Sequence, residues 1–208
     1  MTTSKLSKIE FPKNWGPFDL LKNWIDDYKS HTNEASVGFN LATASKLGQV
    51  KNRFIIMQEL CQDGILFNTN PTSPKAIHIK ENPNVAASFL FVNKTFCKQV
   101  RIEGEAQKLQ MTQQQYECLP FVAQMRSALI TEQSQEVDWD DLKFRHDGLV
   151  EEIDKGIIKF DSVPDNLVVF KIIPKMFDFY YSQTNEIADR VLFKSQEGDK
   201  WTCNHITA

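Results

Sequence analysis

Apolar positions along the chain begin in a helical rhythm and then shorten to the period of strands. Leu20, Leu21, Trp24, Ile25 and Tyr28 recur at i, i+1, i+4, i+5 and i+8, which predicts one amphipathic helix over residues 17–28. Residues 37–43, 53–57 and 65–69 then read as three strands of a meander, divided by turns at Lys46-Leu47-Gly48-Gln49 and Gln62-Asp63-Gly64. Ser73-Pro74-Lys75 opens a short helix through Ile77 and Ile79, and Asn82-Pro83 closes it. Residues 85–91 and 98–104 are the next strands, and the second alternates so that Gln99, Arg101 and Glu103 share a face. Helical patterns follow over residues 112–130 and 138–154, both expected to pack outside a sheet. The tail returns to strands at 167–173, 176–180 and 190–193, with Gly198-Asp199 turning into 201–203. Many short strands with few helices predict a mainly β fold with peripheral helices (α+β), closed as a barrel. No internal repeat is visible. Residues 1–17 are taken as an N-terminal arm and 18–208 as one domain.

Composition narrows the class without naming a function. With 208 residues, 41% apolar and 25% charged, the chain can bury a core unaided by metal or disulfide. A net charge of −3 supplies no basic excess to neutralise phosphates, so neither nucleic acid nor a membrane is expected as partner. No apolar run approaches the ~18 residues of a spanning helix. Cys61, Cys97, Cys118 and Cys203 are widely spaced, and no apolar stretch follows Met1, so reduced thiols and a cytoplasmic location are expected. His31, His78, His146 and His205 lie far apart without zinc spacing, so no metal is expected. The four cysteines and Trp15, Trp24, Trp139 and Trp201 read as packing or surface residues.

Neither a GxSxG elbow nor a P-loop nor a GxGxxG stretch occurs. What remains is a scatter of cations and amides at strand ends and helix starts: Arg53, Lys75, Gln99, Gln133-Ser134 and Arg190. Taken singly, each reads as an ordinary solvated or salt-bridged residue.

Their order changes the reading. Leu41-Ala42-Thr43, Gly48, Arg53-Phe54-Ile55-Ile56, Asp63-Gly64, Thr69-Asn70, Ser73-Pro74-Lys75, Asn82-Pro83 and Gln99-Val100-Arg101-Ile102-Glu103-Gly104 follow one another as in a known family. Together with Phe179-Tyr180, Thr184-Asn185 and Asp189-Arg190, this series resembles the pyridoxine (pyridoxamine) 5′-phosphate oxidase family from about Phe18 to the end. The resemblance implies a split β-barrel binding FMN at a homodimer interface. By position in the motif, Arg53 and Lys75 hold the FMN phosphate with Thr69 and Asn68 beside them, and Phe54, Ile55 and Ile56 lie along the flavin. Gln99, Gln133 and Ser134 fall on the family's own Gln and Gln-Ser, Arg190 on its closing arginine, and Tyr180 on its usual tryptophan. A charge-assisted hydrogen bond to phosphate is worth roughly 1.5–3 kcal/mol. Pro74 interrupts the family's Ser-Arg-Lys and removes one such cation.

The substrate side departs further. Gln58 stands at the family's lysine, Tyr116 at its tyrosine, Pro120 and Gln124 near its arginine and serine, and Glu186 and Ala188 at its Arg-x-His pair. Removing two cations from a dianion site forfeits roughly 3–6 kcal/mol, and Glu186 adds repulsion. Arg126 reads as a solvated helix residue. The expectation is an FMN-dependent oxidoreductase acting on an unidentified small molecule lined by Gln58, Tyr116, Glu186 and Ala188, with no catalytic residue assigned. The alternatives are a genuine vitamer-phosphate oxidase and a non-catalytic FMN-binding protein.

Overall fold

A computed structural model describes residues 5–32, 34–197 and 200–208. In chain order the elements are β1 (Lys5–Leu6), α1 (Pro17–Thr32), β2 (Gly38–Ala44), β3 (Val50–Ile56), β4 (Glu59–Leu60), β5 (Ile65–Thr69), α2 (Pro74–Glu81), β6 (Asn84–Val92) and β7 (Phe96–Leu109). They continue as α3 (Gln113–Glu117), α4 (Phe121–Leu129), α5 (Trp139–Asp154), β8 (Val168–Gln183), β9 (Glu186–Ile187), β10 (Asp189–Ser195) and β11 (Trp201–Ile206). One large sheet runs β11-β10-β8-β7-β6-β2-β3, and β5 pairs with the first half of β8 and with β4. The architecture is mainly β with peripheral helices, as the alternation of the sequence requires.

Strand alternation decides what is buried. Along β6, Val85, Ala87, Phe89 and Phe91 turn inward while Ala86, Leu90 and Val92 face out. The inward residues meet Phe39, Phe67, Phe177, Phe179 and Phe193 in the main core. Helix α1 closes one side of it with Leu20, Leu21, Trp24 and Ile25, the face its periodicity predicts. Trp24 meets Phe179 edge-on at 5.2 Å, and Phe18 meets Phe177 at 5.1 Å, geometries that suit the ring quadrupole.

Two sequence expectations need correction. The segments 167–173 and 176–180 form a single strand, β8, which runs straight through Pro174. Proline cannot donate to the ladder, and the strand tolerates it because the register shifts there, with Gly104 opposite Pro174 and Glu103 opposite Met176. A Cβ on Gly104 would lie 2.2 Å from the Ile173 carbonyl oxygen, so only glycine allows this approach. The expected helix over 112–130 is two helices, because Pro120 ends α3 and becomes the N-cap of α4. The turn expected at Gly198-Asp199 lies outside the described residues.

The chain start is held by its end. β1 pairs in parallel with β9, the Ser7 hydroxyl donates to Glu186 Oε2 at 2.8 Å, and the Ile9 amide donates to Asp189 Oδ2 at 2.8 Å. All four cysteines are free thiols. No helix among the described residues is long and apolar enough to cross a membrane.

Candidate functional site

Strand β3, the end of β5, the start of α2 and helix α4 converge on a cavity of about 430 Å³, within the range of small-molecule sites. Arg53, Phe54, Ile55 and Ile56 line it from β3, and Asn68, Thr69 and Asn70 from β5 and the turn after it. Lys75 enters from α2, Arg126 and Ser127 from α4, and Ile130, Gln133 and Asn166 complete the wall. No Asp or Glu lines the cavity among the described residues.

Local chemistry fixes these groups. Ser73 caps α2 by accepting from the Ala76 amide, and Pro74 takes the first helical position, where a missing N–H costs no helical bond. That cap aims Lys75 back at β5, where its Nζ donates to Thr69 Oγ1 at 2.9 Å. Arg53 Nη1 donates to the Leu41 carbonyl at 3.0 Å and to Thr43 Oγ1 at 2.9 Å, so neutral oxygens orient the guanidinium. The Asn70 side chain donates to the Thr131 carbonyl at 2.9 Å, and Asn166 donates to the carbonyls of Ser127 and Ile130 at 2.7 and 3.0 Å. Those bonds clamp the end of α4 against the sheet.

The electrostatics are one-sided. None of the ion pairs among the described residues uses Arg53, Lys75 or Arg126. Burial, and after it the positive fields of Arg53 and Arg126, pull the Lys75 ammonium down to about 8. Burial likewise lowers Arg53 from its ordinary value. Such a cluster is complementary to an anion carrying more than one charge.

Of the residues expected at a cofactor, Arg53, Phe54, Ile55, Ile56, Asn68, Thr69, Lys75 and Gln133 meet here. Ser134 does not: it adopts φ 68° and lines a neighbouring depression with Leu142 and Arg145. Gln99, Tyr180 and Arg190 form a second group, with Gln99 opposite Tyr180 and Tyr180 opposite Arg190 across three strands. Strands β6 and β2 separate that row from β3. Arg190 is held by Asp178, to which Arg101 also donates. Burial alone would raise Asp178, and the hydrogen bonds from Arg190 and Arg101 overcome it, holding the carboxyl below its ordinary value.

The residues expected at a substrate are dispersed. Tyr116 is 2% exposed and packs with Leu66, Met111 and Val169 in the smaller apolar cluster. Gln124 donates to the Tyr116 carbonyl. Glu186 accepts from Ser7, and Ala188 is half-buried beside β10. Gln58 Oε1 is buried with no hydrogen-bond partner among the described residues. Sequence reasoning missed Arg126, Ser127, Ile130 and Asn166. Arg126 is exposed, as a solvated helix residue should be, yet it lines the cavity.

Three comparisons bear on this geometry. A family model described as pyridoxamine 5′-phosphate oxidase matches residues 31–142. A pyridoxine/pyridoxamine 5′-phosphate oxidase of Legionella pneumophila (strain Lens) is 28% identical over 190 residues, covering 89% of this chain and 85% of its own. Among solved structures, PhzG from Burkholderia lata 383, in complex with tetrahydrophenazine-1-carboxylic acid, superposes with a TM-score of 0.83 at 19% identity, covering 96% of this chain and 98% of that one. A pyridoxamine 5′-phosphate oxidase-related, FMN-binding protein of Nostoc punctiforme gives a TM-score of 0.72 at 15% identity, covering 94% and 99%.

Proposed function

The chain belongs to the pyridoxamine 5′-phosphate oxidase family, and on that premise we propose that it is a cytoplasmic FMN-dependent oxidoreductase acting on a small molecule other than a vitamer phosphate. The observation that carries the cofactor is a cavity lined by Arg53, Lys75 and Arg126, none of which has an ion-pair partner and beside which no Asp or Glu lines the wall among the described residues. A phosphate monoester with close to two negative charges relieves their mutual repulsion, while the amides of Asn68 and Gln133 suit uncharged polar edges. The donor set therefore fits FMN: Arg53 and Lys75 hold the phosphate, and Phe54, Ile55 and Ile56 run beside the ring system. Bound FMN supplies hydride transfer, and the protein supplies binding, orientation and exclusion of water.

A homodimer belongs to the same reading. Gln99 on β7 is separated from β3 by two strands, Tyr180 and Arg190 lie on the strands beyond it, and none of the three lines the cavity of their own chain. Beside them in register is Leu90, 63% exposed, and on β3 Phe54 is 79% exposed. An apolar face of this kind on a sheet is covered in the functional assembly, and a second copy brings the row to the flavin. The substrate reading rests on occupancy: Tyr116, Gln124 and Glu186 are each engaged inside the chain and do not come together as an anion site among the described residues.

Two measurements test it. The purified protein given excess FMN should keep a flavin band at about 450 nm after desalting, and a colourless protein would sink the cofactor assignment. Anaerobic pyridoxamine 5′-phosphate should leave that band intact. Bleaching would instead favour the vitamer oxidase, the reading supported by the names of the relatives. A flavin that no donor reduces would favour a binding protein without turnover.

A further inference from the structure

The cation on α4 has no role in the reading above. Helix α4 is fixed by buried neighbours of Arg126: Gln124 donates to the Tyr116 carbonyl, and the carbonyl of Ser127 accepts from Asn166. Arg126 is thus carried on a braced turn, it lines the cavity that Arg53 and Lys75 also line, and its charge is felt by Lys75. Among the described residues it has no ion-pair partner, and no Asp or Glu lines the cavity. An unpaired surface arginine ordinarily points to water. This one stands close enough to buried Lys75 to depress its proton affinity, an arrangement that costs free energy until an anion lies between them.

We propose that Arg126 is a ligand of the FMN phosphate, completing from α4 a three-cation cradle with Arg53 and Lys75. The proposal rests on the FMN reading of the cavity. It also accounts for Pro74, which immediately precedes Lys75 and brings no charge to the start of α2. A guanidinium from α4 supplies two N–H donors in a planar fork, which a lysine or a backbone amide cannot reproduce.

The test is a fluorescence titration of flavin-free protein with FMN and with riboflavin, which has the same ring and ribityl chain but no phosphate. Wild-type protein should prefer FMN. Arg126→Gln should weaken FMN at least about tenfold and leave riboflavin within about twofold, while Arg145→Gln, on the exposed face of α5, should change neither. An unchanged FMN affinity in Arg126→Gln overturns the proposal and leaves the FMN reading standing. Equal losses for the two flavins also overturn it, since they mean that Arg126 acts on the ring or the fold rather than the phosphate. Wild-type protein that binds FMN no better than riboflavin removes the phosphate site altogether, a failure visible before any variant is made.

Discussion

Replacing Lys75 with methionine should move stability and cofactor affinity in opposite directions. Lys75 is 7% exposed, and its ammonium lies at about 8 instead of 10.5, pushed there by burial and then by Arg53 and Arg126. At ~1.4 kcal/mol per pKa unit, the folded, flavin-free protein carries a cost of about 3 kcal/mol at neutral pH to keep that charge. Methionine has nearly the same reach without the charge, and it removes the hydrogen bond to Thr69, which contributes about 1 kcal/mol. The net expectation is a flavin-free protein about 1–2 kcal/mol more stable, seen as a Tm rise of roughly 2–8 °C for a chain of this size. FMN should bind roughly 10- to 100-fold more weakly, because one charge-assisted bond to the phosphate is gone. Circular dichroism melting without flavin and a fluorescence titration at pH 7 give the two numbers. A Lys75→Met protein that melts lower and binds FMN as wild type does would refute the assignment of Lys75 as a stored charge awaiting an anion.

The same lysine sets a pH signature. A base whose folded pKa is depressed leaves the unfolded chain holding more protons between about 8 and 10.5, so flavin-free stability from this group rises with pH across that window. FMN affinity should fall over the same range as the free site loses its proton, and titrations at pH 7, 8 and 9 would show it. Gly104→Ala should cost more than about 3 kcal/mol, because the new Cβ meets backbone on β8 rather than a yielding side chain, and melting or loss of soluble protein would report it. Asp178→Asn should cost about 1–3 kcal/mol by leaving Arg101 and Arg190 without their shared carboxylate, a loss discounted for the exposure of both arginines. The depressed carboxyl contributes stability above about pH 4 that disappears as pH falls through its folded value, so the variant should melt less steeply with acid than wild type.

Alternation and turn residues disclosed the strands, because burial on one face imposes period two wherever a sheet covers a core. They overstated the breaks. Pro174 reads as a strand end, yet a bulge opposite Gly104 lets β8 continue. Pro120 carries the opposite signal, hidden inside a run whose apolar spacing suits one long helix. At the site, Arg53, Thr69 and Lys75 were legible only through the order of their motifs, since nothing in a lone arginine on a strand announces a ligand. Arg126 was not legible at all. It shares a cavity with Lys75, far from it in sequence, on a helix that Asn166 holds against the sheet. The β1–β9 pair escaped for a related reason, as two-residue strands carry no period.

That pair orders events in time. Ser7 donates to Glu186 and accepts from the Gln183 amide, so the contacts of the first turn of chain wait for nearly the last. On a ribosome, the long-range hydrogen-bond partners of residues 5–9 emerge only with residues 183–189, by which point the core strands β2 to β7 have already been synthesised. The arm is therefore the last part to dock and the first to open, a latch that a protease or a thermal fluctuation reaches before the barrel itself.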